Sequence, residues 1–160
     1  AQVAPRGNME PARAVEWQKG DFHITTALAQ LDMDVIHGFL RESYWASGIP
    51  RATVEKSMRN SLCFGLFHGK TQIGFARVIS DCATFAYLAD VFVLPEYRGQ
   101  GLAKWMMECI MAHPELQSLR RWVLVTRDAH GLYGKSGFTP LAHPERLMEI
   151  HSPAIYAQQT

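Results

Sequence analysis

Between Phe85 and Leu94 the chain is almost continuously apolar. It then passes through Pro95-Glu96-Tyr97-Arg98-Gly99-Gln100-Gly101 into a segment carrying Leu102, Trp105, Met106, Cys109 and Ile110 at helical spacing. A run apolar on both faces suits the buried centre of a sheet. Pro114 stops the helix soon after its last apolar position. A second apolar run, Trp122 to Thr126, follows a connection long enough to make it parallel to the first. This strand, glycine turn, helix and strand commit the chain to an α/β architecture.

Upstream, Phe22 to Ala27 is β-prone, and Asp32 or Asp34 can cap a helix whose apolar side carries Val35, Ile36, Phe39, Leu40 and Tyr44. Gly48 and Pro50 break that pattern before a second helix near Thr53 to Ser61. Cys63 to Phe67 and Gln72 to Ser80, joined through His68-Gly69-Lys70, read as a hairpin. After the second parallel strand, Asp128 can cap a short helix running to Ser136 and closed by Gly137. Phe138 to Leu141 and Arg146 to His151 are predicted as two closing strands. The order is β-α-α-β-β-β-α-β-α-β-β, a mixed sheet of six to seven strands with about four helices. Residues 1–16, with Pro5, Gly7 and Pro11 among small and polar residues, are expected to form a flexible arm before a single domain over 17–160.

At 160 residues the chain has the size of one ordinary domain, and 48% hydrophobic with 19% charged residues is the composition of a packed globular protein. A formal net charge of +1 without a run of like charges gives no electrostatic footprint for nucleic acid or an anionic membrane. The three cysteines, Cys63, Cys82 and Cys109, lie apart in apolar stretches, which suits buried free thiols and a cytoplasmic location. Seven histidines without a His-Glu-x-x-His or Cys-x-x-Cys spacing give no sign of a metal.

The chemistry concentrates in Glu96-Tyr97-Arg98-Gly99-Gln100-Gly101-Leu102-Ala103. Two glycines in three residues let the backbone turn sharply and approach a ligand closely. The free N–H groups and dipole of the following helix then form a site for a diphosphate. A plain strand-to-helix turn is the simpler alternative. No Gly-Lys-Ser/Thr follows the glycines and no Gly-x-Gly-x-x-Gly is present, so the common nucleotide loops do not fit.

Val93-Leu94-Pro95-Glu96-Tyr97-Arg98-Gly99-Gln100-Gly101-Leu102-Ala103 closely resembles the acetyl-CoA-binding motif of GNAT acetyltransferases, Gln/Arg-x-x-Gly-x-Gly/Ala, through Arg98, Gly101 and Ala103. Further on, Asp128-Ala129-His130-Gly131-Leu132-Tyr133-Gly134-Lys135-Ser136-Gly137-Phe138 resembles the family's later motif ending Tyr-x-x-x-Gly-Phe. The resemblance covers roughly residues 20–151 and agrees with the element order. It implies transfer of an acetyl group from acetyl-CoA to an amine in a ternary complex, without a metal. It implies backbone N–H groups of Phe92, Val93 and Leu94 facing the acetyl oxygen and pantetheine, and Arg98, Gly99, Gln100, Gly101, Leu102 and Ala103 around the diphosphate. Tyr133 matches the family's general acid toward the leaving sulfur, and Asp128 a position where the side chain contacts the cofactor.

Asp90, three residues before Val93, is the best carboxylate to deprotonate the amine, with a structural pair to Arg77 or Arg127 as the alternative. Tyr44, Trp45 and Trp122 are candidates for an acceptor pocket, against plain packing roles. The acceptor itself, a small molecule or a protein amine, is left open. So are the rivals of a non-catalytic acyl-CoA-binding domain and of an O-acyl or longer-chain transferase. A homodimer is a common assembly in this family.

Overall fold

The computed structural model describes residues 13–158. Six strands form one sheet in the order β1-β2-β3-β4-β5-β6: β1 (Glu16–Lys19), β2 (Phe22–Thr25), β3 (Leu62–His68), β4 (Thr71–Ser80), β5 (Phe85–Val93) and β6 (Arg121–Leu124). The first five pair antiparallel, and β6 joins β5 in parallel. Four helices accompany them: α1 (Met33–Leu40), α2 (Arg51–Arg59), α3 (Leu102–Ala112) and α4 (His130–Gly134). The expected mixed α/β fold, with the parallel pair flanking the glycine turn, is present.

Both faces of the sheet are covered, which explains why its central strands are apolar without alternation. On one face α3 lays Leu102, Trp105, Met106, Cys109 and Ile110 onto Ala76, Val78, Ala86 and Leu88. On the other, α1 and α2 bring Ile36, Leu40, Val54 and Met58 onto Cys63, Phe75 and Phe92. Each fully buried aliphatic side chain in these layers contributes roughly 1.5–3 kcal/mol. Asp32 caps α1, its Oδ1 accepting from the N–H groups of Asp34 and Val35.

Four features differ from expectation. Glu16–Lys19 forms a strand, with Val15 already bonded to Thr26, so the sheet reaches into the end of the expected arm; residues 1–12 of that arm lie outside the described residues. The two closing strands do not form within the chain: Phe138 to His151 has no sheet partner, and every residue from Thr139 to His151 is exposed. β-propensity alone does not make a strand where the backbone pairs with no neighbouring strand. Asp128 does not cap α4; Ala129 holds that position and its N–H is taken by the Thr126 hydroxyl. Cys82 is exposed in the β4–β5 turn at φ +59°, while Cys63 and Cys109 are buried free thiols.

Candidate active site

β5 carries the decisive irregularity. Against β4, Phe75 pairs with Phe92 and Arg77 with Ala89, so one residue of β4 faces two of β5, Asp90 and Val91. Asp90 sits at φ +56°, the left-handed conformation that a β-bulge demands and that Asp tolerates better than most residues. The bulge bends β5, and its ladder to β6 ends at Leu88 opposite Leu124. Ala89–Val93 therefore run on beyond the last parallel pair, leaving a V-shaped opening between the two strands.

The Leu94 N–H donates to the Ile73 carbonyl at 2.8 Å, so it is not free for a ligand as expected. Because an antiparallel ladder alternates, Phe92 directs its N–H toward β4 and Val93 toward the opening. Of the three expected backbone donors, Val93 is the one the geometry presents.

The glycine turn lies at the same end of β5. Gly99 and Gly101 adopt φ +80° and +76°, and a Cβ at either would meet nothing within 4 Å. Gly101 is the N-cap of α3, so the first N–H groups of that helix, from Leu102 onward, face outward beside an open loop. Two tethers fix the turn. Arg98 Nε donates to the Val93 carbonyl at 2.9 Å, and the Tyr97 hydroxyl lies 3.1 Å from His68 Nδ1. Gln100 is exposed and Ala103 half-buried on the turn and its helix. An open, positively polarised loop of this kind fits a diphosphate-bearing ligand.

Tyr133 is buried and packs edge-on against Phe138, which the tight end of α4 folds back through its N–H to the Tyr133 carbonyl at 3.2 Å. Burial pushes its phenol up to about 12, with the nearby Tyr44 and Asp128 adding to the effect. The phenol is therefore protonated throughout the physiological range. Asp128 itself is exposed.

Asp90 turns to the α1–α2 face. Its Oδ2 accepts from Arg77 Nε at 2.8 Å and its Oδ1 from Trp45 Nε1 at 2.9 Å. Arg77 is further held by the Ser61 hydroxyl at 3.1 Å. Beside Trp45, Tyr44 packs edge-on and carries the Arg127 guanidinium 3.9 Å above its ring. Tyr44, Trp45, Asp90 and Arg127 thus join the loop after α1 to both arms of the opening. Trp122 is not with them: it packs against Phe138 and the α3-side core and lines a separate cavity at the outer side of β6. Parallel pairing with Ala86 places it on that face. The sequence did not reveal the Trp45–Asp90 and Tyr44–Arg127 contacts, since each joins segments far apart in the chain.

The profile of the acetyltransferase (GNAT) domain family matches residues 59–140, which contain β3 to α4 and every element of the opening. The chain belongs to the GNAT acetyltransferase family. A Gibberella zeae protein named as a candidate acetyltransferase is 33% identical over 143 residues, covering 75% of this chain and 80% of that protein. The crystal structure of a GNAT-family protein from Xanthomonas campestris pv. campestris superposes with a TM-score of 0.84 at 52% identity, over 86% of this chain and 97% of the other. A Staphylococcus aureus protein described as a probable acetyltransferase gives 0.66 at 27% identity, over 82% and 98%. In this GNAT chain no group of three or more His, Cys, Asp or Glu among the described residues could hold a metal ion. No described helix is long and apolar enough to cross a membrane.

Proposed function

We propose that this GNAT chain is an acetyl-CoA-dependent N-acetyltransferase that moves the acetyl group directly to an amine in a ternary complex. The observation that carries the reading is the shared location of three features: the β5–β6 opening, the left-handed Gly99 and Gly101, and the N-terminus of α3. When bound, acetyl-CoA supplies the activated acetyl group as a thioester. Arg98 and the N–H groups from Gly99 to Ala103 hold the diphosphate. The Val93 N–H lies where the acetyl oxygen gains negative charge, and such preorganised donors are usually the largest electrostatic contribution to acyl transfer.

Tyr133 keeps its proton and directs it at the departing sulfur. A thiolate with an ordinary pKa of about 8.5 is stabilised by that donor. Asp128 flanks the cofactor arm at the start of α4. Tyr44, Trp45 and Arg127 form the acceptor end. Asp90, with both oxygens already bonded, is read as a positioning residue that holds Trp45 and the bulge in place. The amine then loses its proton to water in the opening.

Calorimetric titration of the protein with acetyl-CoA, CoA, ATP and NAD tests the donor half, with Gly101→Glu as control. Saturable binding of acetyl-CoA and CoA alone, lost in the variant, supports the reading and opens a screen of amines for thiol release. Binding of ATP or NAD in place of acetyl-CoA overturns it. Acetyl-CoA binding without thiol release to any amine leaves an acyl-CoA-binding domain or transfer to another nucleophile.

A further inference from the structure

The acceptor end of the opening holds a cation without a counter-charge. Arg127 follows the end of β6 and stands exposed, its guanidinium 3.9 Å above the ring of Tyr44. No ion pair joins it to a described residue. Asp128, next in the chain, is exposed, and its charge acts on the Tyr133 phenol. Asp90 has both oxygens taken, one by Arg77 and one by Trp45. With Asp90 fully bonded, Arg127 is the charge beside the two aromatic rings.

Those rings form a corner with open surface. Tyr44 is 54% exposed and Trp45 41%, the two rings edge-on with centroids 5.1 Å apart. The indole N–H is committed to Asp90, so Trp45 offers only its ring to a ligand. That same bond fixes the ring in place. A guanidinium is a planar fork of donors that matches a carboxylate, and resting on an aromatic ring it still has N–H groups to offer. One cation balances one negative charge, which suits a carboxylate better than the near-dianion of a phosphate.

We propose that the acceptor is a small amine carrying one carboxylate on an apolar body, as an amino acid does. The carboxylate sits on Arg127 and the body lies against Tyr44 and Trp45. This rests on the transferase reading above and names the substrate class of the same site. The amine nitrogen bonds to the acetyl carbon, the C–S bond breaks, and the proton lost by the nitrogen returns through water and Tyr133 to the thiol. Arg127 binds and orients the acceptor without entering that exchange.

The test sets apolar and aromatic amino acids against their carboxamides and against the matching amines without a carboxyl group. Thiol release from acetyl-CoA is followed, with rates referred to the neutral amine. Each acid is expected to exceed its carboxamide in kcat/KM by about tenfold or more, the equivalent of one charge-assisted contact. In Arg127→Gln that preference is expected to vanish, mainly through KM; in Arg127→Glu it should invert, and in Arg127→Lys recover in part. Arg127 is exposed, so the variants are expected to keep the circular dichroism of the wild type. Carboxamide or amine turnover equal to that of the acid overturns the proposal and leaves the transferase reading intact. So does a preference that survives Arg127→Gln. Acetyl-CoA binding with no turnover of any acid overturns it too, and turnover of a peptide amine in that case keeps the transferase reading. A chain that binds no acetyl-CoA in calorimetry overturns the earlier reading itself, and this proposal with it.

Discussion

Trp45 Nε1 donates to Asp90 Oδ1 at 2.9 Å, while Arg77 holds the other oxygen of the same carboxylate at 2.8 Å. The bulge of β5 and the loop after α1 are thereby fastened at one residue. Asp90 is in the left-handed region at φ +56°, and its two donors offset the cost of that conformation.

Asp90→Asn keeps a residue that accepts the left-handed backbone and can still accept from Trp45. It leaves Arg77, 15% exposed, without a counter-charge. The pair is only partly buried, so chemical denaturation should show a loss below the roughly 3–5 kcal/mol that breaking one side of a fully buried ion pair costs. If Asp90 positions rather than abstracts, kcat falls by less than the roughly 10²–10⁴ lost with a general base. A fall within that range at unchanged stability would return the proton abstraction to Asp90.

Gly101→Ala forces a Cβ into a left-handed N-cap although nothing crowds it. Destabilisation of about 1–2 kcal/mol is expected from the backbone alone. Relaxation of the turn turns the first N–H groups of α3, so acetyl-CoA affinity should fall about tenfold or more by calorimetry, ten being the equivalent of 1.4 kcal/mol.

Tyr133→Phe retains the ring against Phe138 and removes only the hydroxyl. Thermal stability and acetyl-CoA affinity should change little. Steady-state thiol release should fall by about 10²–10⁴ if the phenol donates to the departing sulfur in the transition state. Unchanged turnover would make Tyr133 a packing residue.

Burial pushes the Cys63 thiol up to about 12, with Arg77 opposing and Asp90 reinforcing the effect, and burial takes Cys109 to about 12 as well. An unfolded thiol titrates at about 8.5. Above that pH the unfolded state loses protons that the folded state retains, so stability is complete below about 8.5 and declines as pH rises toward 12. Urea midpoints measured at neutral and alkaline pH should show the decline, and Cys63→Ala should make it shallower. In the native protein Cys82 should react with a thiol reagent well before the other two.

The glycine turn, the amphipathic spacing of α3, an acidic cap on α1 at Asp32 or Asp34 and the parallel crossover were all legible because each depends on residues near one another in sequence. The motifs holding Tyr133 and Arg98–Ala103, whose roles are the proposal above, were legible for the same reason, as contiguous sequence. The face assignments in β5 were not. Leu88 and Phe92 would share a face in a regular strand, yet Leu88 packs under α3 and Phe92 stacks on Phe39 of α1, ring centroids 4.0 Å apart. The bulge at Asp90 reverses the alternation between them, and an apolar run carries no mark of such a reversal. Local periodicity and turn chemistry are written in the chain itself. Which strand finds an edge, which N–H stays free beside Val93, and which indole reaches Asp90 depend on segments distant in sequence, and only their packing together decides them.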